Sequence, residues 1–222
     1  MKTVLVTGAG GGVAGALLPR LHERGYRLLL SDPRPERMGE RAHRYGGKTF
    51  VADLTRYEEA KALADWAAEQ GMEAAIHTVG GFAGGGFLQA DPGLYDWMMD
   101  LNLRTTFNLL HAALPYLDKR RGFFAAFAAG PAWTGEGPKR ALYTTAKAAL
   151  AALLRSVAGE VEGVRFLILY PMGTVDTPQN REAVPGADTR LWIRPEALAE
   201  ALIFSMELQG GRLLELPVYP PQ

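Results

Sequence analysis

A dense run of glycines constrains this chain more than any other feature. Thr7-Gly8-Ala9-Gly10-Gly11-Gly12-Val13-Ala14-Gly15 follows the short apolar stretch Thr3 to Val6, and a helical pattern starts near Val13. Glycines between a strand and a helix let the backbone turn tightly and approach a bound group closely. A pyrophosphate suits such a turn, because its charge meets the unpaired N–H groups of the helix start. Glycine-rich turns also arise for conformational reasons alone. Here the weight comes from context, since the turn lies within the first strand–helix–strand unit.

The rest of the chain continues that alternation. Candidate strands are Lys2–Thr7, Tyr26–Ser31, Lys48–Ala52, Ala74–Val79, Gly122–Ala129, Val164–Tyr170 and Arg212–Pro217. Helical patterns fall at Val13–Arg24, Arg56–Gln70, Leu94–Leu117, Ala141–Glu160 and Pro195–Leu208. Near-continuous apolar strands such as Phe166-Leu167-Ile168-Leu169 imply a sheet covered on both faces. The expected fold is therefore α/β, a Rossmann-like doubly wound parallel sheet of about seven strands with helices on both faces. One domain spanning residues 1–222 accounts for the whole length. Two segments break the rhythm, glycine-rich Gly80–Gly86 and proline-punctuated Pro171–Arg194. Both follow strands, where such folds bind ligands, and the second reads as a substrate lid or a merely variable loop.

Charge and composition remove several function classes. The 24 basic and 24 acidic residues balance, so there is no basic footprint for nucleic acid. No apolar run reaches membrane-spanning length, and the N-terminus enters a strand without a signal-like segment. Cysteine is absent, which excludes disulfides and thiolate chemistry, and the four histidines lack metal-ligand spacing. A cytoplasmic protein with no metal is expected.

Three further positions carry chemistry. Asp32 ends the second strand, where an acid accepts hydrogen bonds from an adenosine ribose and repels a 2′-phosphate. That favours NAD(H) over NADP(H), although Arg34 and Arg37 follow closely and soften the preference. Asp32 before Pro33 also suits an ordinary turn. Asp53 and Leu54 end the third strand, where the acid either meets an adenine amino group or caps the helix starting near Arg56. Tyr143 and Lys147 stand four residues apart, one above the other on a helix. A phenol near pKa 10 is a poor proton exchanger at neutral pH. A neighbouring ammonium and a positive nicotinamide are expected to lower that value.

With these residues in place, the chain resembles the short-chain dehydrogenases/reductases over nearly its whole length. The matches are the Thr7–Ala14 turn with Gly8, Gly10, Gly11, Gly12 and Val13, then Asp32, Asp53-Leu54, Asn102, the Tyr143/Lys147 pair, and Pro171 with Val175 and Thr177. The resemblance implies Tyr143 as catalytic acid/base and Lys147 as its electrostatic partner and ribose ligand. It implies Asn102 as the holder of a relay water, and Val175 and Thr177 as contacts of the nicotinamide carboxamide. Val79, Gly80 and Gly81 join the cofactor-binding set. Long helices at Leu94–Leu117 and Ala141–Glu160 imply a homodimer or homotetramer. Within the family, His77 to Gly85 and Asp176 to Asp188 are similar to the dihydropteridine reductases.

The departures are as informative as the matches. Most relatives carry a serine about thirteen residues before the tyrosine, whereas this chain reads Ala128-Ala129-Gly130-Pro131. Thr134 substitutes only if its loop folds inward. Ala14 replaces the last glycine of the turn, and Pro171-Met172-Gly173 sets Val175 one residue further on. Phe82, Trp133, Met172 and Trp192 either stack a flat heterocycle or cover the core. Three functions follow as expectations. The first is NADH-dependent reduction of a quinonoid, dihydropteridine-like or carbonyl small molecule, with Tyr143 as proton donor. The others are an ordinary carbonyl or alcohol dehydrogenase lacking the serine, and a dinucleotide-binding redox sensor without turnover.

Overall fold

Alternating side chains on the central strands divide the interior into two apolar layers. In β1 (Thr3–Thr7), Val4 and Val6 point to one face and Leu5 to the other, and all three are fully buried. We describe residues 2–208 and 210–221 from a computed structural model. The strands are β1, β2 (Arg27–Ser31), β3 (Lys48–Phe50), β4 (Met72–His77), β5 (Phe123–Phe127), β6 (Arg165–Pro171) and β7 (Leu213–Val218). They form one seven-stranded sheet in the order β3-β2-β1-β4-β5-β6-β7, and every neighbouring pair is parallel. This is the doubly wound sheet expected from the sequence.

Helices cover both faces. α1 (Gly12–Glu23), α2 (Pro35–Tyr45) and α9 (Pro195–Glu207) bury Leu17, Leu18, Met38, Ala199 and Leu202 against Val4 and Val6. α3 (Tyr57–Glu69), α5 (Thr105–Lys119) and α7 (Ala141–Glu160) bury Leu63, Leu109, Leu110, Leu150 and Leu154 on the other face. Truncating one such leucine to alanine costs about 2–5 kcal/mol, because a close-packed core collapses only partly around the hole.

Helix α2 departs from the sequence reading, which assigned no helix between the second and third strands. Only Met38 and Ala42 of its 11 residues are buried, so its apolar stripe is too thin to read. The single helix expected over Leu94–Leu117 is instead α4 (Pro92–Met99), a π-turn at Asp100–Arg104, and α5. A widened turn of this kind changes the register of the faces without breaking the helix, and it often marks a functional position. The aperiodic segment after β6 also holds a short helix, α8 (Pro178–Ala183), and Val175 pairs with Ile193 across its base. Among the described residues, no helix is long and apolar enough to cross a membrane.

Candidate active site

The crossovers reverse direction between β1 and β4, and there the loops after parallel strands part to leave a crevice. The glycine turn forms one wall. Gly8 has φ of 70°, and a side chain there would meet Thr78 Oγ1 at 2.8 Å. Gly12 is closed from another direction, since its added Cβ would lie 2.5 Å from Thr177 Cγ2. Gly10 N–H donates to Asp32 Oδ2 at 3.0 Å, which ties the turn to the end of β2. Gly11 N–H donates to the Gly8 carbonyl, and Val13 lies in the first turn of α1.

Asp32 is buried, and its second oxygen accepts the Arg34 N–H at 3.0 Å. It therefore serves the turn, and it also lines the groove described below. Asp53 Oδ1 accepts from Thr55 N at 3.0 Å and Thr55 Oγ1 at 2.8 Å. The residue capping α3 is Arg56, with no side-chain cap, so Asp53 braces the preceding turn rather than the helix itself. A groove lined by Gly8, Ser31, Asp32, Asp53, Leu54 and Val79 runs between these loops. Ser31 Oγ on its wall is buried with no partner among the described residues. A glycine cradle without room for side chains, an apolar groove and an orphaned hydroxyl fit a dinucleotide.

Sequence reasoning missed Arg41 on α2, whose guanidinium donates to the Ala9 and Gly11 carbonyls. It fastens the turn from outside, and its own pKa is lowered by burial. No local motif announces a contact between residues some thirty positions apart. His77 was noted only as part of the loop resemblance. It is fully enclosed between Thr7 Oγ1 at 2.8 Å and Thr105 Oγ1 at 3.2 Å. Thr105 Oγ1 donates to the Leu101 carbonyl, so it accepts from His77 Nε2–H, and Nδ1 accepts from Thr7. Burial, with Lys147 nearby, lowers the imidazole to about 3 and keeps it neutral.

Asn102 lies in the π-turn, fully buried. Its Nδ2 donates to the Gly81 and Met98 carbonyls, both at 3.0 Å, and its Oδ1 accepts the Gly81 N–H at 3.2 Å. The amide thus pins the loop after β4, and only a second Oδ1 lone pair is left for another partner. A side chain on Gly80 would meet Asn102 Oδ1 at 3.0 Å and Lys147 Nζ at 3.1 Å, so these groups converge on one point.

Lys147 Nζ, on a residue 4% exposed, donates to the Phe127 carbonyl at 2.8 Å. Desolvation brings its pKa down to about 8. Tyr143 departs from expectation. Burial pushes its phenol up to about 12, and the opposing cation is Arg140 rather than Lys147. The lysine's hydrogen bond goes to β5, and the phenol is left to the desolvation penalty. The Phe82 ring meets Tyr143 edge-on, centroids 5.1 Å apart and planes at 89°.

The other candidates separate. Trp192 is only 8% exposed and belongs to the packed interior. Trp133 packs edge-on against Tyr170, and Met172 N donates to the Val218 carbonyl beyond β6. Thr134 Oγ1 takes part in its own turn, with Gly130 O and Glu136 O each 3.4 Å away. Gly130 occupies the usual serine position at the start of α6 (Gly130–Thr134). A Cβ there would lie 3.1 Å from Met172 Cα and 3.2 Å from Pro171 O, so the end of β6 fills the space. Thr177 caps α8 and packs on Gly12, while the Val175 carbonyl accepts from Asn180 Nδ2 at 2.7 Å.

The family model for short chain dehydrogenase matches residues 2–187. The chain belongs to the short-chain dehydrogenase family. This short-chain dehydrogenase is 28% identical to dehydrogenase/reductase SDR family member 6 of Danio rerio, over 96% of the chain and 84% of the relative. It is 25% identical to an uncharacterized oxidoreductase of Staphylococcus saprophyticus, over 93% and 91%. Its fold is shared with an alcohol dehydrogenase from the archaeon Thermococcus sibiricus complexed with 5-hydroxy-NADP. The TM-score is 0.89 at 24% identity, covering 99% of this chain and 97% of that one. An NADH-dependent reductase of alginate metabolism aligns with a TM-score of 0.79 at 25% identity, over 97% and 95%. The short-chain dehydrogenase is thus an NAD(P)-dependent oxidoreductase of this family.

Proposed function

We propose that this dehydrogenase reduces an activated acceptor, quinonoid and dihydropteridine-like or carbonyl, using NADH and Tyr143 as proton donor. One observation carries the reading: Phe82 meets the Tyr143 ring edge-on, while Gly130, at the position of a carbonyl-polarising hydroxyl, carries no side chain and a Cβ there would crowd Met172 Cα and Pro171 O at 3.1 and 3.2 Å. An acceptor that is already electron-poor needs hydride and a proton but little polarisation. NADH, when bound, supplies the hydride. Tyr143, raised to about 12 by burial, holds its proton at neutral pH, and a positive charge beside it, from Lys147 or a bound nicotinamide, is what would bring that value down for proton transfer. Lys147, near 8, lies close enough to neutrality to help return one. The similarity of His77–Gly85 and Asp176–Asp188 to dihydropteridine reductases supports the quinonoid acceptor. Asp32 supports NADH, and the two structural relatives, one with an NADP analogue and one NADH-dependent, span both choices.

The experiment is NADH oxidation with quinonoid dihydropterin, with Tyr143→Phe as control. Turnover that falls about 10²–10⁴-fold in the variant supports the reading. Cofactor binding without turnover of this substrate overturns the pterin assignment and favours either simple carbonyl acceptors or a sensing role.

We also propose a cytoplasmic homodimer or homotetramer. An apolar groove lined by Met99, Leu103, Phe107, Ala149 and Leu153 runs along α4, α5 and α7, with Phe107 exposed. Sedimentation of the wild type and Phe107→Asp tests it, a monomeric wild type being the contrary result.

A further inference from the structure

We propose that the acceptor is a carbonyl compound bearing a carboxylate recognised by Arg140 with Lys139 beside it, an inference that rests on the carbonyl arm of the acceptor-reducing reading above. Arg140 precedes α7 by one residue and Tyr143 by three. Its guanidinium carbon lies 5.9 Å from the centroid of Phe82, the ring that meets Tyr143 edge-on. The cation therefore stands one aromatic ring away from the proton donor, on the side open to solvent, with Phe82 54% exposed.

Neither cation has a counter-ion among the described residues. Among the described residues, the Arg140 and Lys139 side chains take part in no ion pair, although eleven such pairs occur elsewhere. Asp91, the acid beside the same cleft, is occupied as the cap of α4, accepting Leu94 N–H at 2.7 Å. Glu136, the nearest acid in the chain, forms no ion pair with either residue.

The backbone is built to hold this arrangement. Lys139 adopts φ of 59°, a left-handed conformation that costs a residue with a side chain and persists where surroundings impose it. Its carbonyl accepts the Gly85 N–H at 2.8 Å, which locks the glycine loop against the start of α7. The cleft between them is lined by Gly84, Phe87, Leu94, Lys139, Arg140 and Leu142. Two cations with no ion-pair partner among the described residues, beside a cleft lined by Phe87, Leu94 and Leu142 with the Gln89 amide, match a flat, partly apolar acceptor with one anionic end, and a planar guanidinium fork pairs well with carboxylate.

The test uses phenylglyoxylate and its methyl ester, which differ in one charge. Calorimetric titration of each into the protein–NADH complex reads recognition without requiring turnover. The acid is expected to bind about tenfold or more tightly than the ester. Arg140→Gln should erase most of that ratio, and Arg140→Lys should retain part of it. Equal affinity for the two ligands, no binding by either, or equal weakening of both in Arg140→Gln overturns the proposal. NADH oxidation with the same pair reports separately on the reductive reading. Selective binding of the acid with neither ligand reduced leaves the carboxylate site standing and counts against reduction of such acceptors.

Discussion

Lys147 Nζ donates to the Phe127 carbonyl at 2.8 Å, so α7 is bolted to the end of β5 by an almost wholly buried ammonium. Desolvation lowers this group from the ordinary lysine value to about 8. Between pH 8 and about 10.5 the unfolded chain holds a proton that the native state has released. Stability should therefore rise with pH across that window in the wild type relative to Lys147→Met. Denaturant titrations at several pH values give the difference directly. Parallel curves for the two proteins would mean the ammonium is better solvated than its burial implies.

His77 makes the matching prediction on the acid side. Its folded-state value is about 3, well below the ordinary value near 6.5. As pH falls from 6.5 towards 3, the unfolded chain takes up a proton that the native imidazole refuses. Stability drops over that range by up to a few kcal/mol. His77→Asn should remove this component, so its unfolding midpoint declines less steeply than the wild type's between pH 6 and 4. Carboxylates titrate there in both proteins, which is why the difference is the quantity to read.

Restoring the family's hydroxyl at Gly130 should fail. Gly130→Ser would place a Cβ 3.1 Å from Met172 Cα and 3.2 Å from Pro171 O, against backbone that must shift to admit it. The expected cost is about 1–3 kcal/mol, with no gain in carbonyl reduction. A variant of wild-type stability with faster turnover of a simple ketone would show that the end of β6 gives way easily.

Asp32 accepts N–H groups from both Gly10 and Arg34, with the Arg34 side chain also near. Asp32→Asn keeps the shape and an acceptor oxygen while removing the negative charge. The ratio of kcat/KM for NADH over NADPH should fall about tenfold or more, since the charge no longer repels a 2′-phosphate. An unchanged ratio would assign Asp32 to holding the turn alone.

Much of this architecture was legible in the sequence. Strand ends were placed within about two residues, and Ala141–Glu160 coincides with α7. Local periodicity carries that information, because a strand or helix that buries one face must repeat its apolar residues at a fixed interval. The glycine turn, Asp32, Asp53, Tyr143 and Lys147 were visible for a related reason: a parallel sheet gathers the ends of its strands on one edge. The polar helix α2, with Met38 and Ala42 alone buried, lay below what periodicity can detect. The π-turn around Asn102 was invisible because Asp100–Arg104 carries no proline or glycine to mark a break in the helix.

Tertiary structure decided the rest. That Lys147 bonds Phe127, that Thr177 closes on Gly12, that Arg41 fastens the glycine turn and that β6 fills the space at Gly130 are relations between distant segments. Each depends on how packed helices and loops settle against a common sheet, and no interval in the chain encodes it. The sequence by itself determined which chemical groups would meet on one edge of the sheet. Only the folded protein decided which would touch, because a shift of about one ångström in a close-packed interior separates a hydrogen bond from a clash.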